Sequence, residues 1–491
     1  MFYCGLFEQF KEWVSSCNKE EEVQDAYETG DISVFDEILE QFEFFVQHEV
    51  KADDIVSMVD DWYELQPLTE SVNTSGIVDW NSFSDLDIRK GVDLMRKINE
   101  HGYEAYIVGG CVRDIVNGDK DVHDIDIATN MPISELKRNF HTADNGGEKH
   151  GTILVENDGT MFEVTQFRTE TGYSDGRHPD QVSWTNSFEA DTKRRDFTIN
   201  AMGIDADGKV IDYNGGVNDL QNKVLRTVGN PVERFTEDAL RIMRAMRFAA
   251  RFDMKIAEET MEGIVACKDQ LSNIAVERIR AELVKTAEYG YKQFAIIVSL
   301  MNDTGCGEVI DPYDFVDWNK ATDLTEARAL NPLFPELDKD VIVSLALLFY
   351  GNDADKAMQY FRCSGDQIRS IGFIYNNLEN YRRLEDLDPI NAIKIVNNKD
   401  FDRLREVNHA IEGHDSESAQ VIPVIEMLIN KALPRFSDIS AMMKEAGIKS
   451  GPNYGIIQKK IQNKICKMYM DGIEPTDDQI MEMLIEYSEL N

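Results

Sequence analysis

Two aspartates that follow a glycine pair are the first candidates for chemistry in this 491-residue chain. Gly109-Gly110 ends a short apolar run, and Asp124 and Asp126 follow after a predicted short helix. On a strand, alternate residues share a face, so the two carboxylates are predicted to point the same way. Carboxylates this close repel each other unless a cation lies between them, and Mg²⁺ fits that need. By itself an Asp-x-Asp sequence is more often a solvated strand end, so the assignment depends on the rest of the chain.

A second constellation is an aspartate and an arginine three residues apart, Asp238 and Arg241, in a segment predicted to form one helix from Thr236 to Phe252. An ionised Asp only accepts hydrogen bonds and an Arg only donates them. Cytosine and adenine present an amino donor beside a ring-nitrogen acceptor, whereas uracil and guanine present the reverse. One fixed acceptor and one fixed donor could therefore select C and A, because each unpaired group at a mismatch costs about 1–3 kcal/mol. The alternative is an ordinary helix with an acidic start and solvated arginines.

The elements around these residues indicate an α+β fold, with a mixed sheet and helices in a head and an all-helical part after it. A helix is predicted from Leu86 to Glu100, ending at Gly102. Period-2 patterns and turn residues predict five strands: Ala105–Val108, Ile125–Ala128, Ile153–Glu156, Phe162–Phe167 and Lys209–Tyr213. After Pro231 the chain is predicted to be helical almost to its end.

Length and pattern predict several domains. Residues 1–85 are expected to be an acidic, mostly helical extension of unknown role, with a linker at 71–76. The head, with its mixed sheet, is expected at 86–229, and a neck of helices at 230–290. A helical body would follow at 291–380 and a helical tail at 381–491.

Composition excludes several classes of protein. The seven cysteines form no CxxC pair, which argues against a zinc ribbon or a disulfide framework and fits a reducing cytosol. No run of about 18 apolar residues is present, so no membrane contact is expected. The net charge of −39 counts against RNA binding. Residues 1–85 hold about 21 acidic side chains against about 3 basic ones, however, so a locally positive cleft elsewhere remains compatible with the composition.

The ordered motifs resemble a known family. They resemble those of the class II tRNA nucleotidyltransferases and bacterial poly(A) polymerases, which have a DNA polymerase beta-like nucleotidyltransferase head. His123 departs from the family pattern, in which a Lys often precedes the Asp pair. The motifs that carry the resemblance are Gly109–Asp114, Asp124–Thr129, Phe162–Arg168, Gly176–Pro179, Arg194–Ala201, Asp212–Leu220, Glu237–Phe248 and Glu277–Glu282.

The resemblance implies template-independent addition of CCA to the 3′ end of tRNA, with CTP and ATP as substrates and Mg²⁺ as cofactor. Asp124 and Asp126 would be catalytic and hold the metal. Asp196 is expected either to contact ribose or to act as a third carboxylate, and Glu163 is the other candidate for that role. The nucleotide would be bound by Gly110, Arg113, Arg195, Asp196, Asp238, Arg241, Arg244 and Arg247.

Three rival functions stay open at this stage, whereas a small-molecule nucleotidyltransferase would not need the long helical part. A poly(A) polymerase would use the same head, but no strongly basic C-terminal extension is present to hold a long single strand. An enzyme that adds only CC or only A would differ by one short loop. A non-catalytic RNA-binding protein could keep the fold, although the intact Asp124, Asp126, Asp238 and Arg241 argue against lost chemistry.

Overall fold

The computed structural model describes residues 77–489, apart from 84, 121, 145, 174–178 and 452. The predictions for 1–76, including the acidic helices and the linker, and most of the Gly176–Pro179 motif lie outside the described residues. Two compact units are present. The first contains the described residues up to Glu170 together with Val182–Asn222, and the second contains Thr171–Gln181 and the chain from Lys223 onward. We call them the head unit and the helical unit. The finer division into neck, body and tail stays a prediction.

A seven-stranded mixed sheet forms the centre of the head unit, in the order β3-β4-β5-β2-β1-β8-β9. The pair β2–β5 is parallel, and the other neighbouring pairs are antiparallel. The α+β fold is therefore confirmed. The sheet strands are β1 (Ala105–Val108), β2 (Asp126–Thr129), β3 (Thr142–Ala143), β4 (Thr152–Asn157), β5 (Thr160–Gln166), β8 (Met202–Ile204) and β9 (Val210–Asp212).

Helices cover this sheet through apolar stripes. In α1 (Leu86–Glu100), Ile88, Val92 and Met95 are buried at a spacing of three to four residues. The side chain of Asp85 accepts the N–H of Asp87 at its start. The helix packs on β1 and β4, and the next helix, α2 (Gly110–Val116), packs on β1 and β8. The remaining head helices are α3 (Ile133–Asn139), α4 (Phe188–Thr192) and α5 (Gly216–Gln221).

Several short strands were not predicted, because two to four residues carry too little periodicity. Strands β6 (Arg168–Thr171) and β7 (Gln181–Trp184) form a two-stranded sheet. Strands β10 (Val224–Leu225) and β11 (Lys255–Ile256) pair in parallel. The prediction of helix throughout after Pro231 is therefore wrong at β11.

Apart from a break at Asp238, the rest of the helical unit agrees with the predicted helical periodicity. Its described helices are α6 (Pro231–Glu237), α7 (Leu240–Arg251), α8 (Glu258–Cys267), α9 (Val276–Ala287), α10 (Tyr291–Thr304), α11 (Cys306–Ile310), α12 (Trp318–Leu330), α13 (Val341–Leu348), α14 (Ala354–Tyr360), α15 (Gly365–Arg382), α16 (Pro389–Val396), α17 (Phe401–Glu412), α18 (Ile422–Lys431), α19 (Phe436–Glu445), α20 (Tyr454–Met470) and α21 (Asp477–Glu489). None of the described helices is long and apolar enough to cross a membrane.

Candidate active site

The glycine turn lies against the predicted catalytic carboxylate. Gly109 joins β1 to α2 with a φ of 79° and a ψ of −145°, a region that L side chains rarely adopt. A Cβ atom at Gly109 would lie 3.4 Å from Oδ2 of Asp126. The pairing of β1 with β2 places Val108 opposite Asp126, which explains the close approach. The turn and the carboxylate therefore share one edge of the sheet.

Asp124 and Asp126 do not share a strand, and the predicted reason for their proximity is wrong. Asp126 is the first residue of β2, whereas Asp124 precedes the strand with a φ of 56°, in the left-handed region. Aspartate tolerates that region better than most residues do. The negative charge of Asp124 still raises the pKa of Asp126, so the turn keeps the two carboxylates within electrostatic reach.

A third carboxylate lies beside Asp126. Parallel pairing of β2 with β5 places Glu163 directly opposite Asp126. Partial burial, and then the charge of Glu163, raise the pKa of Asp126 from 3.8 to about 6, while Arg195 opposes the shift. Water still reaches Asp126, since it is an exposed residue at a strand end. Like charges held this close favour a bound cation.

Asp196 occupies a different environment. Its Oδ1 accepts the N–H of Phe197 at 2.9 Å and Nδ2 of Asn200 at 3.3 Å. The strand register therefore supports Glu163 over Asp196 as the third carboxylate, and the ribose role of Asp196 stays a prediction.

Arg113 is held beneath the glycine turn. Its side chain is 4% exposed; Nε donates to Oδ1 of Asp114 at 2.9 Å, and Nη1 donates to Oδ1 of Asn200 at 2.9 Å. A Cβ atom at Gly110 would lie 3.3 Å from its Nη2. The guanidinium is thus fixed in place next to Gly110, where the absence of a side chain leaves room for it.

Arg195 is fixed from two sides. Nη1 donates to the carbonyl of Asn200 at 3.2 Å, and Nη2 lies 3.4 Å from Oδ2 of Asp191. Burial lowers the pKa of its guanidinium, and Asp191 opposes that shift. Among the described residues, buried Nε of Arg195 has no hydrogen-bond partner. The charge of Arg195 opposes the rise in the pKa of Asp126, so the guanidinium lies within electrostatic reach of that carboxylate.

In the helical unit, the predicted single helix from Thr236 is interrupted at Asp238. Helix α6 ends at Glu237 and α7 begins at Leu240. Oδ1 of Asp238 accepts the N–H of Leu240 at 3.0 Å, so the side chain caps the new helix. Asp238 and Arg241 therefore do not lie on one continuous helix face, and the geometric argument for their pairing is wrong.

Each member of that pair has another charged partner. Oδ2 of Asp238 lies 3.4 Å from Nη2 of Arg278 on α9, and Arg241 donates to Glu237 at 2.5 Å. The donor and the acceptor predicted to read the base are thus oriented separately. Their role in base selection stays a prediction.

Two further arginines on α7 differ in exposure. Arg244 is half-buried, with its guanidinium 5.2 Å from the centre of the Phe248 ring. Arg247 is 5% exposed; its Nε donates to Glu282 at 2.5 Å and its Nη1 donates to the hydroxyl of Tyr289 at 3.2 Å. The environment of Arg247 supports a role in holding α7 against α9, so direct nucleotide binding by Arg247 stays a prediction.

Sequence reasoning missed Asp191 and Tyr289. Tyr289 reaches Arg247 across 42 positions, and no spacing rule reveals such a contact. Asp191 had a signal, because it precedes Arg194 and Arg195 by three and four residues, the spacing of neighbouring side chains on a helical turn.

Comparison with known proteins places these features in a family. The model of the poly A polymerase head domain matches residues 105–226, and the model of a probable RNA and SrmB-binding site of polymerase A matches residues 253–310. The CCA-adding enzyme of Limosilactobacillus reuteri is 53% identical over 193 residues, which cover 39% of this chain and 47% of that enzyme. The matched region thus spans about half the length of that relative.

Two longer matches extend beyond the head. The CCA-adding enzyme of Streptococcus pyogenes serotype M1 is 32% identical over 418 residues, covering 79% of this chain and 94% of that enzyme. The crystal structure of the Bacillus stearothermophilus CCA-adding enzyme in complex with CTP superimposes with a TM-score of 0.63 at 26% identity, covering 83% of this chain and 98% of that one. On this similarity along nearly the whole streptococcal protein, the chain belongs to the family of CCA-adding enzymes.

Proposed function

We propose that this protein adds CCA to the 3′ end of tRNA, using CTP and ATP. The carboxylate pair Asp126 and Glu163 beside the Gly109 turn carries the proposal, since this arrangement suits transfer of a nucleotide from a triphosphate. In the reaction, the RNA 3′-hydroxyl attacks the α-phosphate in line, a new P–O bond forms, and pyrophosphate leaves.

The donor set fits Mg²⁺. Asp124, Asp126 and Glu163 offer only carboxylate oxygens, and burial, followed by the charge of Glu163, raises the pKa of Asp126 to about 6. Within the described residues, no group of three or more Asp, Glu, His or Cys side chains is arranged so that it could hold a metal ion. The ion would therefore be held by one or two of these carboxylates together with water and substrate phosphate oxygens, as Mg²⁺ usually is. When bound, the ion would neutralise charge on the triphosphate and make the attacking hydroxyl more acidic.

The other residues of the head bind and orient the substrate. The backbone at Gly109 and Gly110 allows close approach of phosphate oxygens. Arg113 and Arg195 supply fixed positive charge for the triphosphate, and Asp196 is assigned to ribose.

Base selection is assigned to the helical unit. Asp238 would accept from the amino group of C or A, and Arg241 would donate to the adjacent ring nitrogen. Separate anchoring by Arg278 and Glu237 gives each group a fixed direction, which a protein replacing a template requires.

A primer-extension experiment tests the proposal. Purified protein and Mg²⁺ are incubated with tRNA transcripts ending before CCA, after CC, and after CCA, with each nucleoside triphosphate singly and in mixtures. Addition of C, C and A followed by a stop is expected. Long A tails would instead indicate a poly(A) polymerase, and addition of A only to the CC transcript would indicate an A-adding enzyme. No addition by folded protein that binds tRNA would leave a non-catalytic RNA-binding protein.

A further inference from the structure

A chain of charged contacts leads from strand β6 to Arg195, and Asp191 is its central member. Asp191 is 1% exposed and lies in the short helix α4. Its Oδ1 accepts the backbone N–H of Arg168 at 3.1 Å and Nε of Arg194 at 3.0 Å. Its Oδ2 faces Nη2 of Arg195 at 3.4 Å. One buried carboxylate therefore joins β6 to two consecutive arginines.

Arg195 needs both of its anchors to keep one orientation. Asn200 holds Nη1 through a backbone carbonyl, and Asp191 holds Nη2. A planar guanidinium held at two nitrogens cannot rotate about its long axis. Nε, buried and without a hydrogen-bond partner among the described residues, then keeps a constant direction. A guanidinium held in this way loses little freedom when it binds an anion.

We propose that Asp191 is a positioning residue that orients Arg195 toward the triphosphate chain of the incoming nucleotide. The proposal rests on the function proposed above. Asp191 touches neither substrate nor metal; it acts through Arg195. Because the triphosphate is common to CTP and ATP, loss of Asp191 weakens the use of both nucleotides equally and leaves base selection unchanged.

The variant Asp191→Asn tests whether Asp191 orients Arg195, because it keeps the size of the side chain and removes its charge. An amide has only one accepting end, so it can satisfy the pair formed by Arg168 and Arg194 or it can face Arg195, but it cannot do both. We expect KM for CTP and for ATP to rise by the same factor, about tenfold to a hundredfold, since the loss concerns a hydrogen bond between charged groups. We expect kcat, the KM for the tRNA primer and the CTP-to-UTP preference to change less than threefold.

Tripolyphosphate provides a probe without a base. Its inhibition constant should rise in Asp191→Asn by the same factor as the KM for CTP. Restoration of most of the lost affinity by Asp191→Glu would support orientation by a carboxylate. The matched control is Glu170→Gln, because Glu170 contacts Arg168 and Arg194; the KM values for the nucleotides should stay within threefold.

A double-mutant cycle separates positioning from a general loss of structure. In the Arg195→Lys background, Asp191→Asn should add less than a threefold change, because the guanidinium through which it acts is gone. The proposal would be overturned if the two changes raised the nucleotide KM independently, so that the double variant showed the full effect of each. A fall in kcat together with a raised primer KM in Asp191→Asn alone would also overturn it. An inactive wild-type protein would instead reject the proposed function, while tripolyphosphate binding, measured calorimetrically, would still test the orientation of Arg195.

Discussion

The carboxylates of the head unit and the arginines of the helical unit differ in how their charges are paired. In the head, Asp126 and Glu163 face each other as like charges, and the pKa of Asp126 rises to about 6. In the helical unit, Asp238 meets Arg278, and Arg247 meets Glu282. We expect the first site to gain stability when a cation or a proton binds, whereas the arginines of the second already have carboxylate partners. The proposed metal site is therefore expected to change on ligand binding, and the proposed base-selecting site to be held in place beforehand.

Removal of the central carboxylate should give the largest effect. Asp126→Asn is expected to lower primer extension by about 10³-fold or more, because the metal contributes several kcal/mol to the transition state. In metal-free protein the same change relieves repulsion with Glu163, so the melting temperature should stay equal or rise. Asp207→Asn, at an exposed turn of the head, is the control and should retain activity. Activity within tenfold of wild type in Asp126→Asn would remove this residue from the chemistry.

Breaking the buried ion pair of Arg247 and Glu282 should lower the stability of the protein, in contrast to the change at Asp126. Glu282→Ala leaves Arg247 buried without its carboxylate and is expected to lower the free energy of unfolding by about 3 kcal/mol. Urea denaturation followed by circular dichroism measures the change. Glu277→Ala, an exposed position on α9, should change it by less than about 0.5 kcal/mol. Equal effects of the two changes would mean that the buried pair does not stabilise the unit.

Removing the charged partner of Asp238 should lower the selectivity for the base more than it lowers the rate of nucleotide addition. Arg278→Ala removes the partner of Asp238 Oδ2, so uridine should be incorporated about fivefold more readily relative to cytidine, the equivalent of about 1 kcal/mol. The ratio of kcat/KM for CTP and UTP on a primer lacking CCA measures this. Arg280→Ala on the same helix, whose side chain donates to the Arg362 carbonyl, should leave the ratio unchanged. A similar loss of selectivity in both variants would point to α9 as a whole and not to the contact with Asp238.

The smallest effect concerns pH. The pKa of Asp126 is raised from 3.8 to about 6, so this proposed metal ligand is mostly ionised above pH 6 and mostly protonated below it. Mg²⁺ affinity should therefore fall about threefold between pH 6.5 and pH 5.5, as the ionised fraction does. In metal-free protein the same protonation stabilises the fold as pH falls from 7 toward 4. Calorimetric titration with Mg²⁺ measures the affinity. A pH-independent affinity over this range would contradict the assigned pKa.

The sequence predicted local features such as turns and helices, but it did not predict which strands pair over long separations. The Gly109-Gly110 turn and helix α1 follow from turn residues and from period 3.6, and the structure agrees with both. The partnership of Asp126 with Glu163 depends on a parallel strand pair formed between residues 37 positions apart, which no local rule specifies. The break at Asp238 was hidden because the apolar period continues through it, without Gly or Pro. There a side chain competes locally for backbone N–H groups and ends the helix.

Because the side chain of Asp238 caps α7, the accuracy of base selection is expected to depend on temperature. Helix ends are the first parts of a helix to open on warming, and the carboxylate that closes the start of α7 is also the proposed acceptor for the amino group of the base. Each time the first turn of α7 frays, that acceptor swings out of its fixed direction. Errors in the added nucleotides should therefore become more frequent at temperatures well below the one at which the protein unfolds or catalysis stops.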